Sequence, residues 1–585
     1  MNSRKWIAGA ASALIAASSI AGCSSTGGSS TGDASGTLTV GTTQELKGVF
    51  SPLYVSTAYD NWISNLVYQS LTSYNADNER VPELAEELPT VSEDGMTITF
   101  KLKQGQKFSN GEEVTAEDVK FTYTLMADPE YIGGRNDGVY NFIEGWEEYQ
   151  KGDAEEVSGI IVEDDYTVTF KCATPDIEAA NTLGGMAVMP KGQFEYSKGN
   201  LGGYKDQTTD IIGSGPYKLN KYDKAAGASV VLNENYTGEG EYKVSQIIVR
   251  TIASGTELAS LESGEIDLLP EQIDTSIIGP ASLNENLTTA HHFRAAEGYF
   301  GYNTANGATA DKAVRQALSY AVNRAEFVDT YYKWPEKDGT AQVSDDLKDV
   351  STGYVPAAFW TPVGNGTGQY TTGAETLDGL TVYDYDLEKA KSILDEAGWT
   401  VGSDGIREKD GQKLEIKMLA TESNPVLEVL IPIVEKSWTD LGVSLKKNTI
   451  DFNTMLDVIE PTSDQVNEWN IFFLAVSFTG LSNTTMNNIL GYDGSGDDIV
   501  LGSSNYSRLV NEELNGYLNA GKETGVEEVS LENYRKAMVL SSDLVPYLPI
   551  YGNNLFNIYN KRVKNLKTGV VCNWSQSMNG VYLED

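Results

Sequence analysis

Apolar positions recur along this chain with two different periods. Met96, Ile98, Phe100 and Leu102 alternate with Thr97, Thr99 and Lys101, the two-residue period of a half-buried strand. Asp94-Gly95 just ahead of them is a hairpin-turn signal. The alternation returns at Tyr166, Val168 and Phe170. Between these runs the period lengthens. Thr115-x-x-Asp118 is a capping box, and Val119, Tyr123 and Met126 then share one face of a predicted helix. A second helix is predicted from Asp311, with Val314, Leu318 and Ala321 as its stripe. A third starts at Asp386, with Leu387, Ala390, Leu394 and Ala397 inward and Gly398 to end it. Strand-like runs at Ile247-Ile248-Val249 and Leu414-Glu415-Ile416 accompany these helices. The mixture predicts an α/β (mixed α+β) architecture, not an all-α or all-β one.

The first residues read as an address. Arg4 and Lys5 precede an apolar run, Trp6 to Ile20, of 15 residues. That is shorter than the roughly 20 residues of a membrane span. The run ends in Ile20-Ala21-Gly22-Cys23, which resembles a bacterial lipobox, with Cys23 as the lipidated residue. Residues 1–22 are then a lipoprotein signal peptide, and 23–36 hold the lipidated Cys and a Ser/Gly tether. Such a coil reaches roughly 20 Å. Within the tether, Gly28-Ser29-Ser30-Thr31-Gly32 matches a hydrolase elbow, but the strand and helix that an elbow requires are missing from the pattern. Cys172 and Cys572 remain, and free buried thiols are the favoured reading over a disulfide.

Composition narrows the function. The 585 residues carry 83 acidic and 43 basic side chains, a formal charge of −40. That excludes a nucleic-acid binder, which needs clustered Lys and Arg. Only two His occur, His291 and His292, so a multi-His metal centre is excluded and the pair is read as solvated or capping. Asp493-Gly494-Ser495-Gly496-Asp497-Asp498 begins like a calcium loop, yet Asp498 stands where Gly is needed and Ser504 where Glu is needed. It is read as a surface loop. No metal and no cofactor is expected.

The order of segments carries a resemblance. Leu66-Val67-Tyr68-Gln69-Ser70-Leu71 comes first, then Val81-Pro82-Glu83-Leu84-Ala85-Glu86 and Glu93 to Phe100. Gly105-Gln106-Lys107-Phe108-Ser109-Asn110-Gly111, Thr115 to Val119, and Gly213-Ser214-Gly215-Pro216-Tyr217 follow. Leu261 to Asp267, Val314-Arg315-Gln316-Ala317-Leu318, Asp386 to Trp399, and Val545-Pro546-Tyr547-Leu548-Pro549-Ile550 complete the succession. It resembles the family 5 extracellular solute-binding proteins, the group with the oligopeptide- and dipeptide-binding lipoproteins of ABC importers. Within these motifs Gly213 and Gly215 are read as supplying unusual backbone angles, and Arg315 as anchoring a salt bridge.

The resemblance implies a two-lobed periplasmic-binding-protein-like fold of the large peptide-binding type, with an extra domain on lobe I. By analogy lobe I is 37–75, 209–300 and 546–585, the extra domain 76–208, and lobe II 301–545. It also implies a non-catalytic monomer, lipid-anchored on the outer face of the cytoplasmic membrane, or periplasmic where the host has an outer membrane. Its partners would be an oligopeptide, and permease and ATPase subunits carried by other chains. Ligand contacts are expected from Ser56, Thr57 and Tyr59, from Val476, Ser477, Phe478 and Thr479, and from Tyr299 and Tyr302. Peptide-binding relatives place an ammonium-binding Asp in the lobe II segment, where this chain has Thr479. The alternatives are an oligosaccharide or other small solute on the same fold, a surface hydrolase, and a signalling-peptide receptor.

Overall fold

The computed structural model describes residues 35–133, 139–205, 209–350, 352–361, 368–422, 424–478 and 483–584. In chain order its main elements begin with β1 (Thr37–Thr42), α1 (Ala58–Val67), β2 (Thr90–Val91), β3 (Thr97–Lys101) and α2 (Ala116–Met126). Next are β4 (Ile160–Asp164), β5 (Thr167–Lys171), β6 (Tyr217–Asp223), β7 (Gly227–Leu232) and β8 (Gln246–Thr251). Then come β9 (Leu268–Gln272), β10 (Leu287–Tyr302), α3 (Lys312–Tyr320), α4 (Arg324–Tyr331), β11 (Gly353–Tyr354) and α5 (Leu387–Glu396). The last are β12 (Glu415–Thr421), β13 (Ser444–Ile450), β14 (Ile471–Ser477), α6 (Glu512–Lys522), α7 (Glu527–Leu544) and β15 (Tyr547–Asn560).

The predicted elements form for the predicted reasons. Thr115 N–H donates to Asp118 Oδ2 at 2.8 Å, one half of the capping box. Asp311 and Asp386 cap α3 and α5 through Ala313 N–H and Lys389 N–H. Gly398, at φ +84°, takes the left-handed position that ends α5. The alternating runs become β3 and β5, paired antiparallel in a four-stranded sheet ordered β2-β3-β5-β4.

One eleven-stranded mixed sheet runs through the molecule, ordered β13-β12-β14-β10-β15-β9-β1-β8-β7-β6, with β11 on β15. Its two longest strands, β10 and β15, belong to both halves. Leu287 to Phe293 pair with Asn560 to Asn554, beside β9, whereas Ala296 to Tyr302 pair with β14. Register shifts fall between Phe293 and Glu297 and between Gly298 and Tyr299. The buried side chains separate accordingly. One cluster gathers residues from Leu38 to Val249 with Leu268 and the stretch from Tyr559 to Val581. Two others draw on residues from Tyr299 to Ile550. The chain is thus a two-lobed mixed α/β fold.

The lobes also meet outside the sheet that they share. Ile177 N–H donates to Lys522 O at 3.0 Å, and Lys522 Nζ lies 3.8 Å from Asp176 Oδ2. Beside this pair Gly95 and Gly525 approach so closely that a Cβ on Gly95 would stand 3.0 Å from the Gly525 Cα.

Two readings of motif residues are corrected here. Neither Gly213 nor Gly215 has a positive φ. They are glycine because the chain presses on the end of α1, where a Cβ on Gly213 would lie 2.1 Å from Val67 O. Arg315 is buried, and among the described residues it makes no salt bridge. Its guanidinium makes four hydrogen bonds to three main-chain carbonyls, twice to Leu544 O (3.0 and 2.8 Å) and once each to Thr309 O (2.8 Å) and Ala310 O (3.0 Å).

Candidate functional site

Strand β14 ends at the place the sequence singled out. Its first residues have a strand on each side, with Ile471 and Phe472 pairing with Met418 and Leu419 of β12. From Leu474 onward only β10 pairs with it among the described residues. The hydrogen-bond phase fixes which groups are free. Phe478 N–H donates to Ala295 O at 2.8 Å. In an antiparallel ladder bonded and non-bonded pairs alternate. Val476 is therefore bonded to Glu297, whereas Ala475 and Ser477 turn their N–H and C=O to the open edge. The side chains of Ala475 and Ser477 are exposed, and Val476 and Phe478 are half-buried.

Tyr299 sits two residues from Glu297 on the neighbouring strand and is 4% exposed. Its ring meets Phe359, Tyr547 and Phe472 edge-on, with centroids 5.0, 5.3 and 6.0 Å away. Phe359 also meets Phe478, at 5.7 Å. Tyr302 lies in a different cluster, fully buried, with its hydroxyl 3.1 Å from Ser319 Oγ. Thr57 caps α1, its hydroxyl accepting from Asp60 N–H and donating to Asp60 Oδ2 at 2.8 Å. Ser56 is exposed, and Tyr59 packs on Trp62 at 5.1 Å. Burial, and then the nearby charge of Glu271, raise the Tyr59 hydroxyl. Glu271 in turn feels Arg294 on β10. This electrostatic succession runs from α1 to the strand that carries Tyr299. Thr479 and Cys23 lie outside the described residues.

Glu297, two residues before Tyr299, was not singled out by the sequence reading. It is 2% exposed, yet neither carboxylate oxygen has a hydrogen-bond partner among the described residues. A single charge inside the apolar run Ala295-Ala296-Glu297-Gly298-Tyr299-Phe300 was the available signal.

His291 and His292, read as solvated or capping residues near a strand, lie within β10; His291 is exposed, as expected, whereas His292 is not. His292 is half-buried with Nδ1 3.1 Å from Thr568 Oγ1, and burial, then His291, push its pKa down to about 4. A base with a depressed folded pKa binds fewer protons folded than unfolded between about pH 4 and 6.5. Its contribution is complete above pH 6.5 and lost as pH falls towards 4. His292→Gln is expected to flatten the pH dependence of urea stability over that window by ~1–3 kcal/mol. Equal slopes for both proteins would contradict this. Cys172 and Cys572 are both free and buried, and burial pushes the Cys172 thiol up to about 11.

Two lobes joined by a pair of crossing strands, with an open strand edge beside the crossing, define a class of protein that encloses a solute. The chain belongs to the bacterial extracellular solute-binding proteins, family 5, whose model matches residues 79–498. Members of this family bind and do not catalyse. The chain is 26% identical to the oligopeptide-binding protein AppA of Bacillus subtilis over 436 residues, 73% of this chain and 71% of that one. It is 29% identical to the nickel-binding periplasmic protein of Escherichia coli over 401 residues, 65% of each. The crystal structure of Bacillus subtilis AppA with a nonapeptide superposes with a TM-score of 0.67 at 21% identity, over 94% of this chain and all of that one. No helix among the described residues is long and apolar enough to cross a membrane.

Proposed function

We propose that this protein is the substrate-binding subunit of an ABC importer, anchored outside the cytoplasmic membrane through lipid on Cys23, and that its solute is an oligopeptide. The open edge of β14 carries this reading. Ala475 and Ser477 offer main-chain donors and acceptors with no strand beside them among the described residues. Every peptide has complementary groups, and an extended peptide adds to such an edge whatever its side chains. The name of the AppA relative supports the same solute class. Closure about β10 and β15 would then enclose the peptide, and the ligand would shift the open–closed balance by its preference for the closed form.

Native mass spectrometry of the protein incubated with a tryptic casein digest tests this. Several different peptides are expected to be retained and released intact. Retention of no peptide, with stabilisation by an oligosaccharide mixture instead, would overturn the solute class. Peptide cleavage during incubation would overturn the binding role.

A further inference from the structure

Glu297 is unusual beyond being buried. Its cross-strand partner on β15 is Gly552, and the partner of Gly552 on the other side is Tyr354 of β11. Val476 of β14 stands opposite Glu297 on its remaining side. Directly opposed residues share one face of a sheet, and neighbouring strands are about 4.8 Å apart. The row is therefore Val476, Glu297, Gly552, Tyr354, with a residue lacking a side chain between an acid and a phenol. Tyr354 fills that gap. A Cβ on Gly552 would lie 2.3 Å from the Tyr354 hydroxyl oxygen. Glycine at 552 thus lets the phenol lie across β15 towards Glu297.

The two side chains are electrostatic neighbours, since the Glu297 charge raises the Tyr354 hydroxyl after burial does. Both Glu297 oxygens and the Tyr354 hydroxyl are buried and make no hydrogen bond among the described residues. Arg324, whose charge opposes the burial of Glu297, makes no hydrogen bond to it among the described residues. The Arg324 guanidinium directs three of its five N–H donors to Pro356 O and Pro549 O, both at 2.8 Å, and to Tyr383 O at 2.6 Å. A buried acid without a hydrogen-bond partner is costly, and native structures seldom keep one without a use.

We propose that Glu297 and Tyr354 form a subsite for a primary ammonium group of the bound solute. This rests on the peptide reading and deepens it. An ammonium has three N–H donors and no acceptor, which matches three acceptor oxygens and one negative charge. A guanidinium would present a planar fork of five donors, and a hard metal ion would need more oxygen ligands than one carboxylate and one phenol supply. The ammonium comes from the peptide's N-terminus or from a lysine side chain.

The charge accounting gives a readout that a structural role would not. Burial raises the Glu297 carboxyl well above the usual range, only partly opposed by Arg324. The titratable or charged groups facing it are Arg324 from α4 and Tyr354 from β11, with Tyr332 beyond Tyr354. β14 and β15 contribute Val476 and Gly552, which do not titrate. Burial therefore favours the protonated carboxyl over the carboxylate until a cation arrives. When an ammonium binds, the carboxyl O–H bond breaks, its proton passes to the buffer and the carboxylate faces the unchanged ammonium.

The test is calorimetry of the full chain with four synthetic hexapeptide pools. Their N-termini are free or acetylated, and lysine is present or replaced by norleucine. At least one amine-bearing pool is expected to bind about tenfold or more tighter than the acetylated norleucine pool. Its heat is expected to vary with buffer ionisation enthalpy as proton release requires. The two single-amine pools identify the source of the ammonium. E297Q is expected to keep its melting temperature, lose the amine preference and lose the proton release, and Y354F to lose part of the preference. If wild type binds all four pools alike, or E297Q keeps the preference, the subsite is overturned and the peptide reading stands. If wild type binds none of the pools, the peptide reading fails and the subsite with it.

Discussion

Ala475→Pro is expected to lower oligopeptide affinity by about tenfold or more while leaving the melting temperature within a few degrees. Proline removes one main-chain N–H and places a ring where it stood. At Ala475 that N–H points away from β10, so the ladder between β14 and β10 keeps its bonds. Proline is tolerated on strand edges for this reason. What disappears is a donor that an added peptide strand would use, and the ring obstructs the approach of its neighbours. Val476→Pro is the matching control. Its N–H is turned inward towards Glu297, so proline there breaks the ladder and is expected to unfold this end of the lobe. Titration of both variants with the peptides that wild type retains decides the matter. Unchanged affinity in Ala475→Pro would mean that peptides do not add to this edge.

Arg315→Ala is expected to destabilise the second lobe by about 3 kcal/mol. Four charge-assisted donations hold together Leu544 O, at the end of α7, and the turn at Thr309 and Ala310. α7 ends with Val545 in a left-handed conformation, φ +41°, so its terminal carbonyls need an outside donor. Alanine leaves these three carbonyls without their guanidinium donor. Arg315→Lys is expected to recover a minority of the loss, because a single ammonium cannot span both places. Urea unfolding followed by a probe in the second lobe measures this. A midpoint shift corresponding to less than ~1 kcal/mol would show that water replaces the guanidinium at little cost.

The helices and turns were the legible part of this sequence, because their signals are local. Asp386 caps its own helix, Gly398 ends it, and Thr115 and Asp118 answer each other three residues apart. The family motifs then carried the two-lobed architecture. Long-range roles were hidden. Gly213 looked like a residue chosen for its own dihedral angles, but its reason is Val67, far away in sequence. Arg315 looked like half of an ion pair, and its partners are carbonyls, which any residue type can supply. Tyr299 and Tyr302 fall in one strand buried on both faces, where alternation gives no sign of which side meets a solute. The row across Glu297, Gly552 and Tyr354 spans about 250 residues of chain, and only strand pairing assembles it.

The contact at Gly95, Asp176, Ile177, Lys522 and Gly525 has a kinetic consequence. It joins the two lobes through residues of the chain itself, outside the sheet they share. A vacant molecule that spends time shut admits nothing during that interval, so uptake at high solute concentration would level off at the unlatching frequency. Apparent affinity would be discounted by the fraction of molecules standing ajar. Loosening the fastening, for instance with Lys522→Ala, would then speed capture and release together.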